Sequence, residues 1–487
     1  MTHPPLDFGP VLPELILVGA GLALLVIEAV FKRLSHAWLA GGAFAGILAA
    51  GWASVWLWNW TPRAFQRDSA VLGGMVAADK FSVVARLVLL AVAALGIAFG
   101  HHYFRRTGED RGEFYGLVLL CTSGMTLIAS ANNLIVVFLA LEILSLSLYV
   151  LTGFSFRLTA TEGAMKYFLL GAFSSAFFLY GIAMAYGATD TTSITGIARA
   201  LSGSTGSDAL ALAAAGLLAV GFAFKVAAVP FHTWAPDAYQ GAPTPVTAYM
   251  SAATKVAAFA ALLRVFNVAF APLQWDWTPF IWVLAALSMV VGAVIALSQT
   301  DIKRMLAYSS VAQAGFILTG VTVAGQAGIK ASMFYLVAYA AMIVGAFGIV
   351  MVVSVRGEDR TSISSYAGLA RTHPALAGAL TLFLASLAGL PPTAGFVAKV
   401  GVFGAAVNAG EWPLVLIAVL ASVVAAFFYL RVIVIMYTQE PPPGEPVIER
   451  ATGPSIGIVL VGIVTLVLGV FPGLAYHFLD QASVLRW

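Results

Sequence analysis

Four ionisable residues lie in the middle of long apolar stretches: Glu142, Lys225, Lys255 and Lys399. An ionised side chain at the centre of a bilayer costs on the order of 2.5–3.5 kcal/mol, so such residues usually face the protein interior and mark proton or ion paths. Ser145 and Tyr149 follow Glu142 at i+3 and i+7, which makes one helix face polar. The set predicts proton or ion transfer. The alternative is a group of structural ion pairs that only fix helix packing.

Lys255 also has a polar stripe beside it, because Thr247 and Ser251 precede it at i−8 and i−4 on one helix face. Such a stripe could support a file of water molecules that leads to the lysine. The alternative is a packing seam, since serine and threonine are common between membrane helices.

His232 is a candidate proton shuttle because the ordinary pKa of histidine is about 6.5. It follows Lys225 at i+7, but Pro230 lies between them and makes a shared helix face uncertain. The alternative is a satisfied interfacial histidine. A further group of charged residues lies nearer the ends of apolar stretches, where snorkelling to the interface explains them: Arg86, Arg264, Arg431, Glu28 and Lys330.

Several kinds of chemistry have no sequence signal. We find no phosphate-binding glycine loop, no dinucleotide fingerprint and no pair of mid-span histidines for haem. The single cysteine, Cys121, excludes a disulfide framework and a cysteine-bound cluster. We therefore predict that the chain moves ions and holds no cofactor or metal of its own.

The composition indicates the class of fold that must position these residues. Hydrophobic residues make up 61% of the 487 and charged residues only 10%, and the mean hydropathy is +0.94. Soluble domains carry about 25% charged residues, so a soluble fold is excluded, as is disorder. A net charge of +3 gives no reason to expect nucleic-acid binding. A polytopic membrane protein remains.

Membrane-spanning helices need about 20 mostly apolar residues each. Roughly fourteen stretches qualify, and none alternates as transmembrane strands do, so we predict an all-α bundle. The predicted spans are 11–31, 37–58, 81–100, 114–130, 133–153, 163–187, 209–229, 244–270, 279–299, 303–324, 328–354, 374–407, 412–437 and 454–479. The first is predicted to be a retained helix, since the N-terminus lacks the basic start and cleavage site of a signal peptide.

Lysine and arginine in short loops are enriched on the cytoplasmic side. With both termini outside, the cytoplasmic loops would carry Lys32, Arg33, Arg105, Arg106, Arg111, Arg157, Lys166, Lys303, Arg304, Arg356, Arg360, Arg371 and Arg450. The outer loops would carry Arg63, Arg67, Lys80, Arg199, Lys330 and Arg486. This bias of about two to one predicts outer, periplasmic termini.

Prolines interrupt the seventh and twelfth spans, in the segments 224–232 and 389–395. The breaks are five spans apart and therefore lie in segments of opposite direction, which is typical of an inverted repeat of spans four to eight and nine to thirteen. This predicts three regions: N-terminal helices in 1–113, a translocating core in 114–440, and a C-terminal loop and helix in 441–487.

Three long motifs carry a family resemblance. They are Pro230–Tyr249 (PFHTWAPDAYQGAPTPVTAY), Asp301–Gly315 (DIKRMLAYSSVAQAG), and Leu390–Phe396 (LPPTAGF) followed by Lys399. Together they resemble the antiporter-like membrane subunits of respiratory complex I, the proton-translocating NADH-quinone oxidoreductase. Pro13–Leu17 (PELIL) and the DAYQGAP form of the first motif favour the subunit N group over its paralogues L and M.

The resemblance implies that Glu142 pairs with Lys225 and that Lys255 and Lys399 carry protons onward, with His232 matching the histidine after the first break. It also implies a bacterial cytoplasmic-membrane location and other complex I membrane subunits as partners. NADH, FMN, iron–sulfur clusters and quinone would be bound by partner subunits. Two alternatives remain open: a subunit of a multisubunit cation/proton antiporter with the same fold, and a structural membrane arm without conduction.

Overall fold

The computed structural model describes residues 8–31, 35–64, 74–203, 209–355, 358–441 and 452–485. Nineteen α-helices dominate them. They are α1 (Leu12–Val30), α2 (His36–Ala64), α3 (Lys80–Thr107), α4 (Glu113–Ser130), α5 (Leu134–Thr152), α6 (Leu158–Thr189), α7 (Ile194–Ser202), α8 (Ala209–Lys225), α9 (Trp234–Gly241), α10 (Thr244–Arg264), α11 (Gln274–Leu297), α12 (Ile302–Thr322), α13 (Gly325–Val352), α14 (Leu369–Thr372), α15 (Pro374–Ala388), α16 (Ala394–Asn408), α17 (Trp412–Thr438), α18 (Thr452–Val470) and α19 (Gly473–Ala482). One short antiparallel ribbon pairs β1 (Ser354–Val355) with β2 (Glu358–Asp359).

The predicted all-α membrane class is confirmed. In the described ranges, twelve helices are long and apolar enough to cross a membrane. The seventh and twelfth predicted spans instead contain the shorter apolar helices α8, α15 and α16. Six of the loop cations used to assign sidedness lie outside the described residues: Lys32, Arg33, Arg67, Arg356, Arg450 and Arg486.

Two local predictions need correction. The stretch 454–479 is not one helix, because α18 ends at Val470 and α19 starts after Pro472, which cannot continue the hydrogen-bond ladder. Helix α7, an amphipathic helix of nine residues, was also not predicted from the sequence. Such a helix is too short to register as a span.

The centre of the bundle is formed by α10, α12 and α13, whose most apolar windows are 100%, 94% and 89% buried. By contrast, the windows in α6, α17 and the last long helix are only 33% buried. Small residues such as Ala252, Ala253 and Ala257 let other helices approach α10 closely. Polar side chains on the central helices are therefore held inside protein and not against lipid.

Both predicted helix breaks are present. Helix α8 ends at Lys225, and the chain turns through 226–233 before α9 begins. Helix α15 ends at Ala388, and α16 begins at Ala394. Each break frees backbone carbonyls that need partners inside the protein, because lipid offers none.

Snorkelling is the wrong explanation for Arg86 and Arg264. Arg86 is fully buried, and its Nε lies 2.8 Å from Oε1 of Glu14. Arg264 donates two hydrogen bonds, of 2.6 and 2.9 Å, to the carboxylate of Asp79. Acids distant in sequence make these buried ion pairs possible, and end-of-span position alone could not reveal them.

Arg431 and Lys330, from the same group, lie closer to solvent or lipid. Arg431 donates to the carbonyls of Leu297 and Gln299, at 2.9 and 2.6 Å. Lys330 pairs with Asp480 at 2.6 Å, with both side chains substantially exposed. These contacts hold helix ends together.

The Asp79–Arg264 pair gives a stability prediction. We expect Asp79→Asn to destabilise the protein by about 3–5 kcal/mol, because it leaves a buried guanidinium without its counter-charge. The thermal unfolding midpoint of the purified assembly should fall. Asp480→Asn is the matched control: its exposed pair should contribute about 1 kcal/mol or less. Equal midpoints for the two variants would contradict the prediction.

Candidate functional site

Glu142 lies on α5 and is half-buried. Its Oε1 accepts a hydrogen bond of 2.5 Å from the hydroxyl of Ser175 on α6. Within the described part of the chain, the carboxylate makes no ion pair with Lys225 or any other cation. The direct pair that the resemblance implied is therefore absent from this conformation.

Lys225 is the last residue of α8 and is buried. Its Nζ donates to the hydroxyl of Ser145 on α5 at 2.7 Å and lies 3.4 Å from the hydroxyl of Tyr167. The Ser145 hydroxyl in turn donates to the carbonyl of Leu141, one turn back. Ser145 therefore accepts from the lysine and orients it.

A small cavity lies between the two charged groups. Its volume is about 10 Å³, room for roughly one water molecule. Ser145, Ser175, Tyr149 and Lys225 line it. Glu142 and Lys225 each contact a serine that faces this cavity, so two hydroxyls and a water-sized space separate carboxylate from ammonium.

Lys255 is buried on α10, and its Nζ donates to the carbonyl of Val226 at 2.6 Å. Val226 is the first residue after α8, so the lysine supplies a hydrogen-bond donor to a backbone carbonyl at the first break. The Thr247 and Ser251 hydroxyls donate to the carbonyls of Tyr239 and Ala248. This polar stripe has the contacts of a packing seam.

Lys399 is buried on α16, and its Nζ donates to the carbonyl of Ala388 at 2.8 Å. Ala388 is the last residue of α15, at the second break. The Nζ also lies 4.6 Å from the centre of the Phe316 ring. Gly389 adopts φ +92°, and a Cβ there would stand 2.9 Å from Cδ of Lys399. Glycine therefore leaves room for the lysine.

Lys255 and Lys399 thus make the same kind of contact, one at each break. The last carbonyls of a helix have no partner within that helix and carry partial negative charge. A protonated lysine satisfies such a carbonyl better than a neutral amine does, because a charged donor strengthens the hydrogen bond. The protonation state of each lysine is thereby linked to the conformation of a helix break.

His232 lies in the turn after α8 and is buried. Its ring approaches Tyr308 edge to face, with 6.2 Å between ring centres. Its Nδ1 has no hydrogen-bond partner in the described structure. Because the turn replaces the helix, His232 and Lys225 do not share a helix face.

A buried polar network beside the second break was not predicted from the sequence. The amide nitrogen of Gln313 donates to the carbonyl of Leu387 at 3.0 Å and lies 3.3 Å from the hydroxyl of Tyr429. Tyr335 donates to the amide oxygen of Gln313, and Ser309 bonds to Tyr429. The sequence feature that could have indicated this network is the group of polar residues Ser309, Ser310 and Gln313 inside a predicted span.

Asp237 forms a separate charged cluster on α9. Its carboxylate lies 2.7 Å from Arg304 and 2.9 Å from Lys166. Burial acts to raise the pKa of Asp237, but hydrogen bonds from Arg304 and Lys166 hold it below its ordinary value. Asp237 is therefore ionised at neutral pH, and its contribution to stability is lost only as the pH falls through that lowered pKa. In the described structure, no group of three or more acids, histidines and cysteines could hold a metal ion.

A membrane bundle with two broken helices, each capped by a buried lysine, defines the class of antiporter-like membrane subunits. Residues 131–425 match the family described as "NADH:quinone oxidoreductase/Mrp antiporter, TM". Two relatives named "NADH-quinone oxidoreductase subunit N" match nearly the whole chain. The Rhodococcus opacus protein is 43% identical over 99% of this chain and 96% of its own length. The Trichlorobacter lovleyi protein is 42% identical over 99% of this chain and 98% of its own length.

The chain belongs to the NADH-quinone oxidoreductase subunit N family, whose members are antiporter-like membrane subunits of complex I. A chain of respiratory complex I from Thermus thermophilus with bound aureothin is 35% identical, with a TM-score of 0.80 over 96% of this chain and 99% of that one. A chain of the Mrp complex from Dietzia sp. has a TM-score of 0.84 over 97% of each chain, but only 24% identity. The latter shares the fold, and the sequence relationship favours complex I over the antiporter alternative.

Proposed function

We propose that this chain translocates protons across the bacterial cytoplasmic membrane, coupled to electron transfer from NADH to quinone in other subunits of the same complex. The observation that carries the proposal is the series of ionisable groups formed by half-buried Glu142 and buried Lys225, Lys255 and Lys399, each with polar contacts inside the bundle. Its partners are the other complex I membrane subunits, including paralogous antiporter-like ones. NADH, FMN, iron–sulfur clusters and quinone belong to partner subunits.

The mechanism that we propose is an electrostatic switch. When Glu142 and Lys225 approach through the Ser145–Ser175 cavity, the carboxylate favours the ammonium form of the lysine. When they separate, Lys225 releases its proton towards Lys255 and then Lys399. His232 lies after the first break and relays protons in that region.

The Gln313 network supports proton transfer near Lys399 at the second break. It joins Ser309, Tyr335 and Tyr429 to the carbonyl of Leu387, the residue before the carbonyl that Lys399 caps. Hydroxyls both accept and donate hydrogen bonds, so they can pass protons along a chain.

We also propose the division into three regions and the inverted repeat that the sequence predicts. Residues 114–440 form the translocating core, in which spans four to eight and nine to thirteen are inverted repeats. Residues 1–113 and 441–487 flank it, and both termini lie on the outer side. The similar lysine contacts at the two breaks support the repeat.

Lys399→Gln tests the last step of the proposed proton path, the transfer to Lys399. An amide can still donate to the carbonyl of Ala388 but cannot carry a proton as lysine does. We expect proton uptake by proteoliposomes of the assembled complex, driven by NADH and quinone, to fall roughly 100-fold or more if this transfer limits turnover. Lys330→Gln, which removes an exposed lysine, is the control and should pump normally. Full pumping by Lys399→Gln would remove Lys399 from the path.

A further inference from the structure

A polar cleft of about 350 Å³ opens at the side of the protein where α6, α10 and α12 begin. Four cations line it against two carboxylates, Glu162 and Asp237. The cations are Arg157, Lys166, Lys303 and Arg304. The lining therefore carries two more positive than negative charges, on the side that holds most of the loop lysine and arginine.

Most of these charges already have partners. Asp237 is shared by Arg304 and Lys166, and Lys166 also pairs with Glu162 at 2.6 Å. Lys303 donates to the carbonyl of Ala242 at 2.6 Å. Three of the four cations are therefore held by contacts within the protein.

Arg157 is different, because its exposed guanidinium has no hydrogen-bond or ion-pair partner among the described residues. It is also the N-cap residue of α6, and its side chain does not cap that helix. The free N–H groups and the positive end of the helix dipole add to the charge at this edge of the cleft. A guanidinium fork matches the oxygen atoms of a phosphate group.

An apolar surface continues directly from the cleft. Phe156 and Leu158 flank Arg157 and are 79% and 84% exposed. Met165 and Leu169 follow Leu158 at i+7 and i+11, on the same outward face of α6, and both are exposed. A cationic cleft at the head of an apolar helix face fits a molecule with an anionic head and apolar tails.

We propose that this cleft binds the phosphate group of an anionic phospholipid, with Arg157 as the principal contact and the acyl chains along the α6 face. A soluble phosphate would use the same cations but would gain nothing from Phe156, Leu158, Met165 and Leu169. The proposal is independent of proton transfer, since Lys225, Lys255 and Lys399 do not line the cleft.

The test uses the purified whole complex in phosphatidylcholine nanodiscs that contain phosphatidylglycerol with a photoreactive group on an acyl chain. Labelling is mapped to peptides that span residues 156–170. We expect labelling of the wild type and an approximately five-fold loss in Arg157→Gln, which corresponds to about 1 kcal/mol per cation near an anionic lipid. Arg371→Gln removes an exposed arginine elsewhere and should label as the wild type does. Arg157→Lys keeps the charge without the fork and should label at an intermediate level.

Three results would overturn the proposal. Equal labelling by photoreactive phosphatidylcholine would show that the site does not select negative lipids. Displacement of the label by millimolar inorganic phosphate would assign the cleft to a soluble anion. Absence of labelling from the wild-type complex would mean that a neighbouring subunit covers the cleft. If Arg157→Gln does not assemble, Lys166→Gln provides the second charge removal and should also lower labelling.

Discussion

Replacement of Glu142 by glutamine in the assembled complex is expected to lower proton pumping roughly 100-fold or more, the usual scale for losing a proton-transfer group. The amide oxygen of glutamine can still accept the hydrogen bond of Ser175, so the contact between α5 and α6 survives. The variant loses only the negative charge and the site that takes up a proton. Pumping is measured with a pH-sensitive dye in proteoliposomes, and assembly by the subunit composition of the purified complex.

Two variants make this result specific to a carboxylate at this position. Glu142→Asp keeps the charge on a shorter side chain, and we expect it to retain part of the pumping. Glu113→Gln removes an exposed glutamate from the first turn of α4 and should pump as the wild type does. Unchanged pumping by fully assembled Glu142→Gln would show that Glu142 serves helix packing alone.

The second large effect is expected from Lys255→Arg. Arginine keeps a positive charge that can donate to the carbonyl of Val226, so the cap at the first break can persist. It does not lose its proton in proteins, because a guanidinium holds its proton far more tightly than the ammonium group of lysine does. We therefore expect an assembled complex whose pumping is lowered roughly 100-fold or more.

Lys255→Ala separates the structural role of the lysine from its proton-carrying role. It leaves the buried carbonyl of Val226 without its lysine, at a cost of about 1–3 kcal/mol. We expect less assembled complex, as well as lost pumping. In Lys255→Arg, only pumping should be lost.

Lys303→Arg is the matched control for Lys255→Arg. Lys303 is also buried, and its Nζ donates to a backbone carbonyl, that of Ala242, at the same distance of 2.6 Å. If size or rigidity of arginine caused the defect, both variants would lose pumping. Normal pumping in Lys255→Arg would instead make Lys255 a helix cap without a role in proton transfer.

The sequence predicts most of the fold because the bilayer imposes a length on every spanning helix. Each of the twelve long helices corresponds to a predicted span, and both helix breaks were predicted from prolines. The exceptions share a cause. The short helix α7 and the break at Pro472 depend on local turns and packing, to which a hydropathy window about 20 residues long is insensitive.

Candidate site residues were predictable by type but not by partner. A mid-span charge such as Lys255 or Lys399 is conspicuous, since its cost in lipid demands an explanation. Its partner is a backbone carbonyl, which no residue type reveals. For the same reason, end-of-span position suggested snorkelling for Arg86, whereas Glu14, 72 residues away, pairs with it inside the bundle.

By itself, the sequence determined that this protein is a helical membrane bundle with four ionisable groups at membrane depth, because composition and spacing follow directly from the chain. Only the tertiary structure decided how those groups are connected. It placed two serines and a water-sized cavity between Glu142 and Lys225, and it set one lysine against each helix break. These contacts join segments distant in the chain, so they depend on how helices pack and not on the spacing of residues within one helix.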